Sequence, residues 1–175
     1  MKSQILNVTR MVEAVLWNYY DSRCYAAGGC IRDLWHGVPY KDIDVVVPIG
    51  DGDDKGVFSL MEQFARSFRY IYNVPVAITM AYNQSAEGRT TLGDFDERLY
   101  GVVKLSTDWG DVDVLFSRYP TIKTVLDFFD CNLNQGYMGT DGVVHYTSPS
   151  ELVWLKPVSP ERKQRMLNKW EALYD

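Results

Sequence analysis

The sequence predicts an α/β domain in which a mixed sheet of about five strands is flanked by helices and followed by a short helical tail. Two observations indicate this class: apolar residues recur at helical spacing in some segments, and runs rich in Val, Ile, Tyr and Phe separate them. A third is that no repeat, Pro-rich linker or low-complexity tract interrupts 175 residues that are 46% hydrophobic. We therefore expect one domain over residues 1–175 with its own core.

Three segments have the pattern of amphipathic helices. Residues 4–20 and residues 58–72 both place apolar side chains at intervals of three and four. Near the end of the chain, Ser159 suits the N-cap position and Pro160 suits the first helical position. We therefore expect a third helix within the tail, residues 156–175.

Strand-like runs lie between these helices. The run CYAAGG predicts a short strand that meets a Gly-Gly turn, and IRDLWHG predicts one or two helical turns closed by Gly37. The segment IDVVVPI predicts a buried strand at residues 43–49. Three further β-rich runs follow the middle helix, namely VAITMAYN (76–83), YGVVKLST (100–107) and DVDVLFS (111–117).

Composition restricts the partners and the compartment. Lys and Arg number 18 against 23 Asp and Glu, so a net charge of -5 gives no overall attraction for nucleic acid, and any such contact must be local. The three cysteines are odd in number and lack C-x-x-C spacing, which favours buried thiols in a reducing compartment. Charged residues interrupt the first twenty positions as they would not in a signal peptide, so we expect a soluble cytoplasmic protein.

Asp42 and Asp44 are the first candidates for chemistry. They are two residues apart at the start of the predicted strand IDVVVPI, so their side chains project from the same face. Two adjacent carboxylates repel each other, and a divalent cation such as Mg²⁺ resolves that repulsion. The plainer alternative is that Asp42 caps a turn and Asp44 faces solvent, because isolated Asp-x-Asp pairs are common.

The Gly28-Gly29 pair precedes these acids and favours a phosphate site. Glycines at a strand-to-helix turn let backbone N–H groups approach a phosphate. Arg32 would add a fixed positive charge, and Asp33 beside it would anchor the Arg or the loop. The alternative is a simple tight turn. Tyr40 and Trp35, close by in the sequence, are candidates for stacking on a base.

A further carboxylate is expected from the segment GDVDVLF, which contains Asp111 and Asp113. Asp113 lies deeper in the predicted strand, whereas Asp111 follows Gly110 and suits a hairpin turn. We therefore predict Asp113 as the third carboxylate of a two-metal site.

These residues together resemble a known signature. The stretch GGCIRDLWHGVPYKDID is similar to the motif of the DNA polymerase β nucleotidyltransferase superfamily, in the class of bacterial poly(A) polymerases and CCA-adding tRNA nucleotidyltransferases. Downstream, DVLFSR resembles the strand with the third carboxylate and a following Arg, and LDFFDCNLN resembles a segment with Asp-Phe and then Asn. The resemblance covers a catalytic core of about residues 20–155. The matching positions are Gly28, Gly29, Arg32, Asp33, Gly37, Asp42, Asp44, Asp113, Arg118, Asp130 and Asn132.

The resemblance implies a polymerase β-like palm fold and a template-independent transfer of NMP from an NTP, ATP or CTP, to a hydroxyl, with an RNA (tRNA) 3′ end as the expected acceptor. It also implies two Mg²⁺ ions held by Asp42, Asp44 and Asp113, and a triphosphate against the Gly-Gly loop. A second group implied to bind the nucleotide and its phosphates comprises Gly28, Gly29, Arg32, Asp33, Arg118, Asp130 and Asn132.

The sequence also departs from this class, which carries long helical regions after the head. Only residues 147–175 follow here, and the tail has Glu161 and Arg165 at the spacing of a base-reading Glu-Asp-x-x-Arg motif but Arg162 in place of its second acid. A surface Glu161–Arg165 ion pair is the alternative. Two other functions stay open: transfer to a protein side chain or small molecule, and a non-catalytic nucleotide-binding module. The preferred base, the acceptor and the oligomeric state also stay open.

Overall fold

The computed structural model describes residues 1–80 and 98–174. In these residues, helices and strands alternate along the first half of the chain, and short strands and a final helix make up the end. The helices are α1 (Lys2–Trp17), α2 (Gly29–Trp35), α3 (Asp54–Tyr72), α4 (Ile122–Asp127) and α5 (Pro160–Tyr174). The strands are β1 (Tyr25–Ala27), β2 (Ile43–Pro48), β3 (Val76–Met80), β4 (Leu99–Thr107), β5 (Gly110–Ser117), β6 (Tyr137–Met138) and β7 (Val144–His145).

The strands form one mixed sheet in the order β3-β4-β5-β2-β1-β6-β7. The central pair, β2 and β5, is parallel, and the other neighbouring pairs of described strands are antiparallel. Three consecutive valines of β2 are buried because this strand has protein on both faces. The parallel register places Asp44 directly opposite Asp113.

Helices α1 and α3 cover one face of the sheet. Val8 and Val12 of α1 and Phe64 of α3 are fully buried there, and the ring of Phe64 meets that of Phe116 in β5 at a centroid distance of 5.8 Å. Burial of this apolar stripe, at roughly 25 cal/mol per Å² of area removed from water, drives both helices onto the sheet. This layer is the main core of the domain.

The opposite face carries a smaller apolar cluster. Ala27 and Val46 of the sheet pack there with Val125 and Leu126 of α4. A third cluster forms where Met166 of α5 packs on the 3₁₀ turn Asn132–Asn134 and its neighbours. Because α4 and α5 leave part of the sheet uncovered, this face holds a cavity.

The predicted α/β class with a mixed sheet and a helical tail is confirmed. Five predicted strands are present, and the structure adds β6 and β7, whose two residues each are too short for a periodicity signal. The first helix ends at Trp17 rather than residue 20, and α5 begins at Pro160 with the Ser159 hydroxyl accepting the Arg162 N–H at 3.2 Å. The predicted end of the third strand, residues 81–83, lies outside the described residues.

Two sequence expectations about the chain as a whole can be compared with the described residues. All three cysteines are free and buried, as expected. Across residues 1–80 and 98–174, every helix is too short or too polar to span a bilayer.

Candidate nucleotidyl transfer site

A cavity of about 780 Å³ opens on the partly covered face of the sheet. Its floor is formed by β2 and β5, and its rim by the loop before α2, by α4 and by α5. The predicted site residues at its surface are Gly28, Gly29, Arg32, Asp33, Asp42, Asp44, Asp113 and Asp130. The fold therefore collects most of the predicted residues in one place.

Three carboxylates lie along the floor. Asp44 and Asp113 are direct register partners on parallel strands, so both side chains project from the cavity face, and Asp42 lies just before β2. Burial, with the neighbouring carboxylates of Asp113 and Asp42, raises the pKa of Asp44 to about 7. Burial also raises the pKa of Asp113, which the ammonium of Lys104 only partly offsets.

One oxygen of this group accepts no hydrogen bond from the described residues. This atom, Oδ1 of Asp113, is buried, and its ion pair with Lys104 Nζ on the adjacent strand, at 3.9 Å, is too long for a hydrogen bond. A buried acceptor left unsatisfied costs about 1–3 kcal/mol, so it marks a position where a ligand cation would be favourable.

The chemistry of these donors fits a hard divalent cation. Carboxylate oxygens are the ligands that Mg²⁺ prefers, and such oxygens are present here on Asp44 and Asp113 of two adjacent strands and on Asp42 just before β2. Within the described ranges, however, no group of three or more His, Cys, Asp or Glu side chains already surrounds a single metal position. The residues therefore suit the ion in the type of their ligand atoms and in the unsatisfied Asp113 oxygen, but they do not form a complete coordination shell.

The two glycines of the Gly28-Gly29 turn are each needed for a different physical reason. Gly28 has φ +80°, a conformation that residues with a Cβ rarely adopt, and it is the N-cap residue directly before α2. A Cβ on Gly29 would stand 3.3 Å from Nη2 of Arg32. The second glycine therefore leaves space for the guanidinium to lie against the loop.

Arg32 is held from two sides. Its Nε and Nη2 donate to the two oxygens of Asp33 at 2.8 and 3.2 Å, and Nη1 donates to Oδ1 of Asn134 at 2.7 Å. The residue is only 8% exposed. This bidentate arrangement fixes the plane of the guanidinium at the cavity rim.

Asp130 and Asn134 continue the same network from the 3₁₀ turn. Nδ2 of Asn134 donates to Asp130 Oδ1 at 2.9 Å, and Nε of Arg162 donates to Asp130 Oδ2. Burial alone would raise the pKa of Asp130, but the hydrogen bonds from Arg162, Asn134 and Cys131 and the charge of Arg162 together lower that pKa below its ordinary value. Asp130 is therefore a charged member of the rim.

Helix α5 closes the remaining side. Its residues 162, 165, 166 and 169 repeat at intervals of three and four, and all four line the cavity. Besides the Arg162–Asp130 pair, Nζ of Lys169 lies 3.0 Å from Oδ1 of Asp33. The tail is thus part of the site and brings three cations to it.

Comparison with known proteins gives matches in structure alone. No protein-family model and no curated protein sequence matches the chain. A tRNA-processing enzyme in an apo form is similar with a TM-score of 0.53 and 17% identity, over 81% of this chain and 32% of that one. A CCA-adding enzyme solved with ATP has a TM-score of 0.50 and 20% identity, over 79% and 28%. A tRNA-processing enzyme solved with CTP has a TM-score of 0.50 and 18% identity, over 82% and 31%.

The chain shares its fold with these tRNA-processing and CCA-adding enzymes. Identities of 17–20% establish this fold and no more, and the chain spans 28–32% of the length of these proteins. The fold expected from the signature GGCIRDLWHGVPYKDID is confirmed.

Two predicted site residues, Arg118 and Asn132, lie outside the cavity. The guanidinium of Arg118 covers the ring of Tyr100 at 4.2 Å and pairs with Asp54 at 3.2 Å. The side chain of Asn132 donates to the backbone oxygen of Glu151 and accepts the N–H of Val153, so it anchors the segment before α5. Asn134, four residues after Asp130, lines the cavity and contacts Arg32 and Asp130, because the 3₁₀ turn directs the side chains of Asn132 and Asn134 apart.

Three further residues considered from the sequence are Arg165, Trp35 and Tyr40. The Glu161–Arg165 ion pair weighed for the tail is absent from the described residues, and Arg165 lines the cavity instead. Neither of the proposed stacking residues, Trp35 and Tyr40, borders the cavity; Trp35 Nε1 donates to Ser148 and the Tyr40 hydroxyl to Gln4. The aromatic residues that do line it are Tyr119 and Phe129. The sequence does indicate that one face of α5 borders the site, because cations and Met166 recur on that face.

Proposed function

We propose that this protein is a template-independent nucleotidyltransferase that transfers NMP from an NTP to a hydroxyl group. The observation that carries the proposal is the register pair Asp44 and Asp113 on the cavity floor, with a buried Asp113 oxygen unpartnered, facing a rim that holds Arg32. Acids on the floor and cations on the rim suit a metal-assisted reaction of a substrate with a polyanionic leaving group.

Asp42, Asp44 and Asp113 are the residues that would hold Mg²⁺ in a two-metal arrangement. The bound ions would supply charge neutralisation of the reacting phosphate and a lower pKa for the acceptor hydroxyl. The contribution of the chain itself is to keep Asp44 and Asp113 on one rigid pair of strands, where the β2–β5 register fixes their separation, with Asp42 just before β2.

The rim would bind the rest of the nucleotide. The Gly28–Gly29 loop and Arg32 are the residues we propose for the triphosphate, with Asp33, Asn134 and Asp130 fixing the guanidinium. Tyr119 and Phe129 offer ring surfaces for the base. Holding both reactants in one geometry lowers the activation barrier because the entropy of bringing them together is lost on binding. Catalysis of phosphoryl transfer depends mainly on such positioning and on charge stabilisation.

We propose an RNA 3′ end as the acceptor and ATP or CTP as the nucleotide. Support comes from the fold, shared with a tRNA-processing enzyme and with a CCA-adding enzyme solved with ATP, and from the cations of α5 at the mouth of the cavity. Those cations provide the local contact for a polyanion that the net charge of -5 does not provide overall.

The test is to incubate the purified protein with each α-labelled NTP, Mg²⁺, total RNA and protein extract, and then to separate the RNA from the protein. We expect label in RNA from ATP or CTP, and none with the double variant Asp42→Ala, Asp44→Ala. Label in the protein pool would replace the RNA acceptor by a side chain. Full activity of the double variant would refute the proposed site.

A further inference from the structure

Six polar residues around the cavity form a chain of five contacts, here called the ring because both of its ends lie on α5. The ring starts and ends on α5 and passes through the 3₁₀ turn and α2, so it joins three elements that are distant in sequence. Its members, in order of contact, are Arg162, Asp130, Asn134, Arg32, Asp33 and Lys169.

The charge on this ring depends on Lys169. Asp33 binds Arg32 through both carboxylate oxygens, so this pair taken alone is neutral and would attract a phosphate only weakly. Oδ1 of Asp33 also faces the ammonium of Lys169 at 3.0 Å. With one carboxylate shared between two cations, the Arg32, Asp33 and Lys169 cluster carries one net positive charge.

The other half of the ring does not supply this charge. Asp130 and Arg162 form a one-to-one pair, and Asn134 is neutral. The ring's single excess charge therefore arises where Lys169 joins it. The Asp33 side chain is only 6% exposed, so solvent screens this cluster less than it would a surface pair.

We propose that Lys169 is a positioning residue for polyphosphate binding: it offsets Asp33 so that the Arg32 guanidinium keeps both its orientation and its effective charge toward the ligand. The proposal rests on the proposed function in assigning Arg32 to the triphosphate. It adds that α5 controls the strength of that interaction from outside the loop, through a carboxylate that both cations share.

The experiment compares Lys169→Met, Lys169→Arg and the matched control Lys163→Met by calorimetric titration with inorganic tripolyphosphate and with ATP. Lys163 is on the same helix but lies over the ring of Trp154 at 5.5 Å and does not line the cavity. Loss of one charge-assisted contact predicts about tenfold weaker binding of both probes by Lys169→Met. Its Kd should also vary less steeply with salt concentration, whereas Lys169→Arg and Lys163→Met should match the wild type.

Two results would overturn the inference. One is a Lys169→Met variant that binds tripolyphosphate as tightly, and with the same salt dependence, as Lys163→Met. The other is a wild-type protein that does not bind tripolyphosphate at all. If the label-transfer assay is negative but Lys169→Met still weakens tripolyphosphate binding, the inference stands and only the proposed transfer activity fails.

Discussion

The acidic floor and the ring beside it handle charge in opposite ways. On the floor, Asp44 and Asp113 face each other across β2 and β5, and the pKa of both is raised by burial and by their acidic neighbours. In the ring, Asp33 and Asp130 each contact at least one cation, and the pKa of Asp130 is lowered.

We infer from this difference that the ring carboxylates stabilise the fold and that the floor carboxylates are placed to bind a ligand. A fold can stabilise a buried carboxylate by giving it a cation and hydrogen bonds, as the ring does. Leaving carboxylates uncompensated costs stability, and that cost is typical of functional sites, where the missing charge comes from the ligand.

The largest expected effect comes from neutralising the floor. Asp113→Asn should lower the rate of label transfer from NTP by about a thousandfold or more, because a metal-binding carboxylate is lost. Asp111→Asn is the matched control, two residues away on the same strand and outside the cavity, and should retain most activity. The measurement is the initial rate with Mg²⁺; similar losses in both variants would contradict the distinction between them.

The second effect is on stability, and here the substitution stabilises the protein, whereas the first one impairs its activity. The folded pKa of Asp44, about 7, is above its ordinary value of 3.8, so its ionisation destabilises the fold progressively as pH rises between these values. Asp44→Asn should therefore equal the wild type at pH 3.5 and exceed it above pH 7 by up to about 4 kcal/mol without divalent cations.

Urea unfolding across this pH range, in the presence of a chelator, measures the difference. A variant less stable than the wild type at pH 8 would show that Asp44 is compensated in the folded protein, as the ring carboxylates are.

The smallest effect concerns the ring. Asp130→Asn should destabilise the protein by about 1–3 kcal/mol at pH 7, because it removes a charge-assisted hydrogen bond with Arg162. Since the folded pKa of Asp130 is lowered, this contribution is present above its ordinary value of 3.8 and is lost as pH falls through the folded value.

The exposed Asp127→Asn on α4 is the control, and chemical denaturation at pH 7 is the measurement. Equal stability of the two variants would mean that the ring does not stabilise α5 against the domain.

Local patterns were sufficient for most elements and for the acids. The valines of β2 predicted a buried strand, and the position of Asp42 and Asp44 relative to that strand predicted a shared face. Depth in the strand, and the Gly110 that precedes Asp111, favour Asp113 over Asp111, and Asp113 is the one that lines the cavity. Strand periodicity alone determines which side chains share a face, so these predictions needed no knowledge of the rest of the fold.

Residues in irregular segments were harder to place. The choice between Asn132 and Asn134 depended on the direction in which a 3₁₀ turn points its side chains. The side chain of Arg118 lies outside the cavity because its guanidinium contacts the ring of Tyr100 and pairs with the carboxylate of Asp54. Neither outcome follows from propensity, because both depend on partners distant in sequence.

The sequence by itself determined the α/β class, the acids of β2 and β5 and the Gly-Gly loop beside them, because each is a property of neighbouring residues. Only the tertiary structure decided that α5 lies against the cavity and that Lys169 shares Asp33 with Arg32. The physical reason is the sequence distance over which the interactions act. Periodicity over a few residues determines which face of an element is apolar. Where that face packs depends on apolar burial and ion pairs summed over the whole fold.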